Sequence, residues 1–256
     1  MRNKPHSVVV GGTRGHGRAW VRALCAKGHK VSVLGRRAPS DTDRGLPGVR
    51  FFRADLSKPT GLQSLLTKIA KHGPLDTLAF FQRLRGAGDS WDAELAVTLT
   101  ATNRFIEFFK RRFAKDGARA IVAVGSAGAA FVAAEQPAGY HVAKAGLKQL
   151  VRYHAVALAP LGLRVNLVSP GAMIKEESAA FWASQKKLTE LYGKVIPRGR
   201  MGTSKDVAGA VDFLCGPHAA FVTGQDLVVD GGLSLLWQES LARQVSPLAG
   251  RRVTRK

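Results

Sequence analysis

The residues best suited to chemistry are a tyrosine and a lysine four positions apart, Tyr140 and Lys144. On a helix this spacing places both side chains on one face. A phenol has a reference pKa of about 10, but an ammonium within about 4–6 Å favours its phenolate form and suits it to proton transfer. Ser126, just beyond a predicted strand, would lie beside this helix. Its hydroxyl and Tyr140 could hold a carbonyl oxygen between them.

A glycine-rich turn, Gly-Gly-Thr-Arg-Gly-His-Gly at residues 11–17, lies between an apolar strand and a helix. Such a turn lets the backbone approach a pyrophosphate and directs the amides of the helix N-terminus at it. Glycine spacing alone also occurs in ordinary tight turns, so the strand and helix around it carry the prediction. The residues offered to a dinucleotide are Gly11, Thr13, Arg14, Gly15, His16 and Gly17.

The end of the second predicted strand indicates which dinucleotide binds. An NAD site commonly has an acidic residue there, which accepts a hydrogen bond from the ribose 2′-hydroxyl. This chain has Arg36 and Arg37 instead, with Arg14 near enough to join them, and guanidiniums match a 2′-phosphate. The sequence therefore favours NADP(H). Asp55, followed by Leu56 after the third strand, suits an adenine edge, although an Asp at a strand end is as often a helix cap.

The elements that must position these residues alternate between short β-branched runs and longer helical stretches. Several runs are apolar throughout, as expected of strands covered by helices on both faces. We therefore predict an α/β, doubly wound Rossmann-like fold with a seven-stranded parallel sheet. The predicted strands cover residues 7–10, 30–34, 49–52, 75–81, 120–124, 163–168 and 226–229. The predicted helices cover residues 15–28, 61–72, 91–114, 138–159, 176–192 and 204–214.

Composition excludes several classes of protein. The 256 residues are 45% hydrophobic, which supports a sizeable core and excludes disordered and collagen-like chains. The longest apolar, uncharged run, residues 121–134, is shorter than the roughly 20 residues of a spanning helix, so we predict no membrane partner and a cytoplasmic protein. The two cysteines, Cys25 and Cys215, form no disulfide framework, and no histidine and carboxylate cluster predicts a metal.

The formal net charge of +21 favours anionic partners, and nucleic acid is one of them. The chain shows no exposed aromatics interleaved with its basic residues and no recognition helix, so we predict no nucleic-acid partner. Part of the charge lies at Arg14, Arg36 and Arg37, where it would serve a 2′-phosphate. Another part of the charge lies in a basic tail at residues 244–256, which we expect to be flexible.

Taken together, these motifs resemble the short-chain dehydrogenase/reductase family over almost the whole chain. The resemblance implies a single Rossmann domain over residues 1–243, hydride transfer between a nicotinamide and a carbonyl or alcohol, and a homotetramer or dimer. The matching segments, in family order, are the glycine turn, Asp55, Leu75-Asp76, Ser126, Tyr140 with Lys144, Arg164-Val-Asn166, Ser169-Pro-Gly171, and residues 197–202, 223–225 and 230–232.

The resemblance also implies a role for each matching residue. Tyr140 would be the general acid of carbonyl reduction and the base of the reverse reaction. Lys144 would assist it and bind the ribose next to the nicotinamide, and Ser126 would orient the substrate oxygen. Pro170 and Gly171 would shape the turn against the nicotinamide, and the backbone near Met173 would hold its carboxamide.

Three positions depart from the family pattern. Residues 80–83, Phe-Phe-Gln-Arg, replace the usual Asn-Asn-Ala-Gly. Thr98 stands where the family has a catalytic asparagine that holds a water, and its hydroxyl could serve as the relay. Lys175 replaces a common threonine. These departures leave open an alternative, an NADP(H)-binding protein with little or no turnover that acts as a sensor or subunit.

The expected substrate is a small carbonyl or alcohol compound that could be anionic. In the family, the segment at about residues 171–201 forms a lid over the substrate. Here it contains three aromatic residues, Phe181, Trp182 and Tyr192, together with several lysines and arginines. The aromatics could line a substrate site, and they could equally pack the lid onto the sheet.

Overall fold

Seven parallel strands form the central sheet of this protein, whose computed structural model describes residues 4–58, 60–84 and 90–246. Within these residues the strands are β1 (His6–Val10), β2 (Lys30–Gly35), β3 (Val49–Arg53), β4 (Thr77–Phe80), β5 (Ala120–Val124), β6 (Arg164–Pro170), β7 (Met173–Ile174), β8 (Gly202–Thr203) and β9 (Asp226–Val229). The sheet has the order β3-β2-β1-β4-β5-β6-β9, and β7 and β8 pair separately. This confirms the predicted doubly wound α/β fold.

Helices cover both faces of the sheet. They are α1 (Gly15–Ala26), α2 (Asp41–Arg44), α3 (Leu62–Ala70), α4 (Trp91–Leu95), α5 (Ala101–Phe109), α6 (Ala138–Leu158), α7 (Ala179–Ser184), α8 (Lys186–Val195), α9 (Ser204–Cys215) and α10 (Gln238–Val245). Helices α1 and α9 pack against one face, and α3, α5 and α6 pack against the other. Successive residues of β1 alternate between the two cores, since Val9 joins the first and Val8 and Val10 join the second.

The order of the strands locates the candidate site. From the middle of the sheet, β1, β2 and β3 follow one another toward one edge, and β4, β5 and β6 follow one another toward the other edge. The chain therefore leaves β1 and β4 toward opposite sides, which opens a crevice at their carboxyl ends. The glycine turn after β1 and the segment after β4 both lie at this crevice.

Two predicted helices differ from the observed ones. The helix predicted over 91–114 contains a π-helical turn at Ala96–Thr100 and ends at Phe109, because Ala114 instead donates a backbone hydrogen bond to Leu75. The helix predicted over 176–192 is broken at Gln185 into α7 and α8. A serine hydroxyl in the last turn of α7 bonds back to a main-chain carbonyl, a contact that competes with helix continuation.

The predicted basic tail begins within α10, which ends at Val245. Residues 247–256 of that tail lie outside the described residues. No helix in the described ranges is long and apolar enough to cross a membrane.

Burial lowers the pKa of four histidines, so the protein should lose stability on mild acidification. The ring of His6, for example, lies 3.2 Å from the carbonyl of Gly73 and 2.8 Å from the hydroxyl of Ser32. The unfolded chain takes up protons near pH 6.5, before the folded chain does, so stability is full above that pH and is lost as the pH falls toward the folded-state values. The four residues are His6, His29, His72 and His154.

We expect the Tm to be lower at pH 5.5 than at pH 7.5, by roughly 2–4 °C for each kcal/mol lost. Scanning calorimetry at the two pH values measures this difference. A His6→Asn variant should show a smaller difference than the wild type, whereas His218→Asn, at an exposed position, should show the full one. Equal differences in the two variants would contradict the assignment to His6.

Candidate active site

The glycine turn packs tightly between β1 and the segment that follows β4. Gly11 has a φ of 80°, and a Cβ on it would lie 2.6 Å from the backbone nitrogen of Gln82. A Cβ on Gly17 would overlap the carbonyl oxygen of Gly11. Both positions require glycine, because a side chain would push α1 away from the strand or clash with the chain after β4.

A cavity opens along this turn at the carboxyl ends of β1, β2 and β3. Gly17 packs behind the turn and does not line the cavity. Five other residues predicted to contact the cofactor are also absent from its lining: Tyr140 and Lys144 on α6, and Pro170, Gly171 and Met173 from the end of β6 to the start of β7. The predicted residues that line the cavity are Gly11, Thr13, Arg14, Gly15, His16, Arg36, Arg37, Asp55 and Leu56. Other residues that line the cavity include Phe81, Gln82, Arg83, Leu84, Val97 and Lys175.

The rim of this cavity is positively charged. Arg14, Arg36 and Arg37 are exposed there, and Asp55 is the one acidic residue among the described lining residues. One carboxylate oxygen of Asp55 accepts bonds from the backbone amide and the hydroxyl of Ser57, at 3.1 Å and 2.7 Å. These bonds, with Arg36 nearby, hold the pKa of Asp55 below its usual value. Asp55 is not a helix cap, because α3 begins at Leu62 and its N-cap is Gly61. Its bonds to Ser57 instead form a local turn at the cavity.

The N-terminus of α1 already binds a carboxylate. The amide of Gly15 donates to Glu177 at 2.9 Å, and Arg18 contacts Glu177 at 3.1 Å and Glu176 at 2.7 Å. Burial acts to raise the pKa of Glu177, but the amide of Gly15 and the guanidiniums of Arg18 and Arg14 lower it overall. An oxyanion therefore fits this helix end, as a pyrophosphate of a dinucleotide would.

Ser126 and Tyr140 meet at Gly128, beyond the end of β5. A Cβ on Gly128 would lie 3.4 Å from the Ser126 hydroxyl oxygen and 3.2 Å from Cε1 of Tyr140. The Ser126 hydroxyl accepts a bond from the Gly128 amide at 3.1 Å, and His141 holds the Gly128 carbonyl at 2.9 Å. These local contacts fix the loop that presents the hydroxyl to Tyr140.

Lys144 lies beneath Tyr140 with its ammonium 5.9 Å from the centre of the phenol ring. It is buried, and it donates to the carbonyl of Val124 at 3.2 Å. Burial lowers its pKa to about 8, with Arg83 and Lys175 acting in the same direction and Glu94 opposing them. Tyr140 and Lys144 lie on successive turns of α6, and the structure brings Ser126, which follows β5, close to them.

Thr98 is also in this region, buried in the π-helical turn. Its hydroxyl oxygen has no hydrogen-bond partner among the described residues. Gln82, after β4, reaches the same turn and donates to the Thr102 hydroxyl at 2.8 Å, while Thr102 donates to the Thr98 carbonyl at 2.8 Å. A side-chain amide therefore links β4 to the helix, a contact the sequence did not reveal.

The two phenylalanines at the end of β4, Phe80 within the strand and Phe81 just after it, fill core space on opposite faces of the sheet. Phe80 packs edge-on against Phe105 at 6.0 Å, and Phe81 packs against Trp20 at 5.8 Å. Arg83 lies 5.1 Å from the centre of the Tyr140 ring and donates to Gln136 at 2.6 Å. The replaced family segment is therefore well packed, and it adds a cation beside Tyr140.

Comparison with known proteins identifies the family. A family model described as enoyl-(acyl carrier protein) reductase matches residues 10–234. Carbonyl reductase family member 4 of Danio rerio is 34% identical over 245 residues, which cover 90% of this chain and 98% of that protein. The chain belongs to the short-chain dehydrogenase/reductase family. It is therefore an oxidoreductase of the kind that interconverts alcohols and carbonyl compounds.

Two further members of the short-chain dehydrogenase/reductase family show how far the likeness extends. The 3-oxoacyl-(acyl-carrier-protein) reductase FabG of Chlamydia pneumoniae is 31% identical over 241 residues, covering 89% of this chain and 96% of that one. A solved 3-oxoacyl-(acyl-carrier protein) reductase from Brucella melitensis, in complex with NAD, has a TM-score of 0.81 at 27% identity and covers 93% of this chain and 100% of that chain. The family fold thus accounts for nearly all of the chain.

Four residues that the sequence did not assign to a role lie in or beside the site of this family member. Gln82 and Arg83 follow β4, Glu94 is buried in α4, and Glu177 binds the glycine turn from the lid segment. A glutamate in the first turn of a helix is ordinarily solvent-exposed or a cap, so only the burial of Glu94 distinguishes it. The contact of Glu177 spans 162 positions, and no local spacing signals it.

Proposed function

We propose that this chain is an NADP(H)-dependent reductase that converts a carbonyl to an alcohol, or the reverse, through Ser126, Tyr140 and Lys144. The observation that carries this proposal is the convergence of the three side chains, with Arg83 reaching from an arginine-rimmed cavity to within 5.1 Å of the Tyr140 ring centre. The glycine turn and its carboxylate-binding helix end fit a dinucleotide. The bound dinucleotide would supply or accept the hydride.

Each of the three side chains would have its own role at the substrate oxygen. Ser126 would donate a hydrogen bond to the carbonyl and hold it against Tyr140. In reduction Tyr140 would give its phenolic proton to the oxygen as negative charge develops there, and in oxidation its phenolate would take the alcohol proton. Lys144, with its ammonium 5.9 Å from the ring centre, would stabilise that phenolate.

The preference for NADP(H) rests on this chain's own residues around β2. A 2′-phosphate beside Arg36 and Arg37 would gain charge-assisted bonds, and the nearby acidic residue, Asp55, already accepts two bonds from Ser57. The Brucella melitensis relative is in complex with NAD. This chain has guanidiniums after β2, where an NAD site commonly has an acidic residue, and this supports a preference for NADP(H).

The experiment that tests the function follows the oxidation of NADPH and of NADH at 340 nm. The panel contains 3-oxoacyl thioesters, simple ketones and aldehydes, and keto acids, and NADPH binding is titrated separately by fluorescence. Turnover with NADPH exceeding that with NADH supports the proposal. NADPH binding without turnover on any carbonyl would instead support the alternative of a cofactor-binding sensor or subunit.

Replacing Glu177 should tighten cofactor binding. Its carboxylate occupies the amide of Gly15 that a cofactor phosphate would need, so binding must displace it. Because a charge at a helix N-terminus is worth about 1 kcal/mol, Glu177→Gln should lower the Kd of NADPH about fivefold. Isothermal titration calorimetry measures the change. Glu190→Gln, at an exposed position of α8, is the control, and an unchanged or higher Kd in Glu177→Gln would contradict the competition.

We also propose that the protein assembles as a homotetramer, or as a dimer, through two apolar surfaces. One lies at the edge strand β9 and the other on α6. Light scattering would show which assembly forms. The exposed apolar residues of these surfaces are Phe221, Leu227, Val228, Val142, Tyr153 and Val156.

A further inference from the structure

A buried carboxylate lies where α4 meets α6, close to the proposed catalytic lysine. Glu94 is only 4% exposed. Its Cβ is 3.7 Å from the position that a Cβ on Gly139 would take, so Glu94 packs directly against the turn of α6 that precedes Tyr140. The glycine at 139 allows this approach, because the backbone of Trp91 is also only 3.3 Å from the same position. The carboxylate is therefore enclosed between the two helices.

The charged groups around Lys144 come from three other elements. Glu94 on α4, Arg83 after β4 and Lys175 after β7 are the charged groups whose fields act on its pKa. Tyr140 lies beside it on α6, with the phenol ring 5.9 Å from the ammonium. Of these groups only Glu94 carries a negative charge. A buried ammonium that lacks a negative partner tends to give up its proton.

The residue at the position of the family's asparagine is uncharged, as an asparagine is, so it cannot offset the cations around Lys144. Thr98 occurs there, four residues beyond Glu94, and its buried hydroxyl oxygen has no partner among the described residues. Two further cations, Arg83 and Lys175, meanwhile act to lower the pKa of Lys144. Because Lys144 is buried near two other cations, an anion is needed to stabilise its charged form. The carboxylate of Glu94, one helical turn before Thr98, is such an anion.

We propose that Glu94 is a positioning residue that keeps Lys144 protonated at neutral pH, and thereby lets Lys144 stabilise the phenolate form of Tyr140. The effect on turnover rests on the proposed reductase function. The charge state of Lys144 does not, because it can be measured on the protein without cofactor or substrate. The two hypotheses can therefore fail separately.

The test is competitive acetylation of the whole protein with trace acetic anhydride between pH 6 and 10. After denaturation and full labelling with an isotopically heavy reagent, mass spectrometry of the peptide containing Lys144 gives the fraction labelled at each pH. Wild-type labelling should have its inflection near the value of about 8 that burial and the neighbouring charges give Lys144. In Glu94→Gln the inflection should fall by about 1 pH unit, the lower end of the effect of a nearby opposite charge.

Three variants complete the design. Glu94→Asp keeps the charge and should restore most of the wild-type inflection. Glu107→Gln removes an exposed glutamate that pairs with Lys110 and should leave the inflection unchanged. Glu94→Met, which fills the same space without a polar group, replaces Glu94→Gln if the amide prevents folding. An unchanged inflection at Lys144 in the folded neutral variant overturns the proposal.

Turnover provides the second readout. If carbonyl reduction is found, a fall of 1 pH unit would leave about one third of the wild-type ammonium at pH 7.5, so kcat should fall about threefold there. The alkaline limb of the pH profile should move to lower pH while the KM for the carbonyl changes little. A uniform loss of kcat at all pH values would mean a merely structural role. Absence of turnover in the wild type would contradict the reductase function and leave the labelling result intact.

Discussion

Replacing Tyr140 by phenylalanine is expected to lower kcat for carbonyl reduction by about 10²–10⁴-fold, the usual contribution of a positioned general acid. The variant removes one hydroxyl and leaves the ring in place beside Gly128 and below Arg83. Lys144 keeps its bond to the carbonyl of Val124, so the fold and the cofactor cavity should be intact. The measurement is the steady-state oxidation of NADPH with the best carbonyl of the panel, together with the Kd of NADPH.

The matched control for this prediction lies on the same helix. Tyr153→Phe removes the hydroxyl of a tyrosine on α6 that is exposed on the single chain, keeps the ring that the proposed assembly surface uses, and should leave kcat unchanged. The Kd of NADPH in Tyr140→Phe should stay within a few-fold of wild type, because the lost hydroxyl makes the proton-transfer contact rather than the phosphate contacts. Full turnover in Tyr140→Phe would show that another group donates the proton.

Removing both arginines after β2 is expected to raise the Kd of NADPH by about 10–100-fold and to leave that of NADH nearly unchanged. Arg36 and Arg37 line the cavity rim, and hydrogen bonds to a charged group are worth about 1.5–3 kcal/mol each before solvent screening of such exposed side chains. The double variant Arg36→Ala with Arg37→Ala therefore loses the contacts with the 2′-phosphate only. Titration of both cofactors by fluorescence gives the ratio.

A control must separate the effect of a lower net charge on cofactor binding from the effect of losing the two arginines at the cavity. Arg104→Ala, at an exposed position of α5, changes the net charge without touching the cavity and should bind both cofactors as the wild type does. If the double variant weakened NADH as much as NADPH, the arginines would be acting through the overall field of the protein. Stronger binding of NADH than of NADPH by the wild type would contradict the cofactor preference itself.

The fold could be predicted because its elements are encoded locally. Continuous apolar runs such as residues 120–124 are buried on both faces, and the observed strand has these same bounds. The glycine turn is predictable because its backbone requires glycine at positions 11 and 17. The ends of elements depend on contacts with distant parts of the chain. The long helix predicted over 91–114 stops at Phe109, where pairing of the following residues with Leu75 competes with the helix.

The sequence by itself determined the identity of the elements, the family pattern and the spacing of Tyr140 and Lys144, because each depends on residues close together in the chain. Only the tertiary structure decided which charges surround them. Glu94 reaches the surroundings of Lys144 across 50 positions, and Glu177 binds Gly15 across 162. The physical reason is that burial and electrostatic environment depend on how helices and lid pack over the sheet edge, and a residue type has no fixed charge partner until that packing is complete.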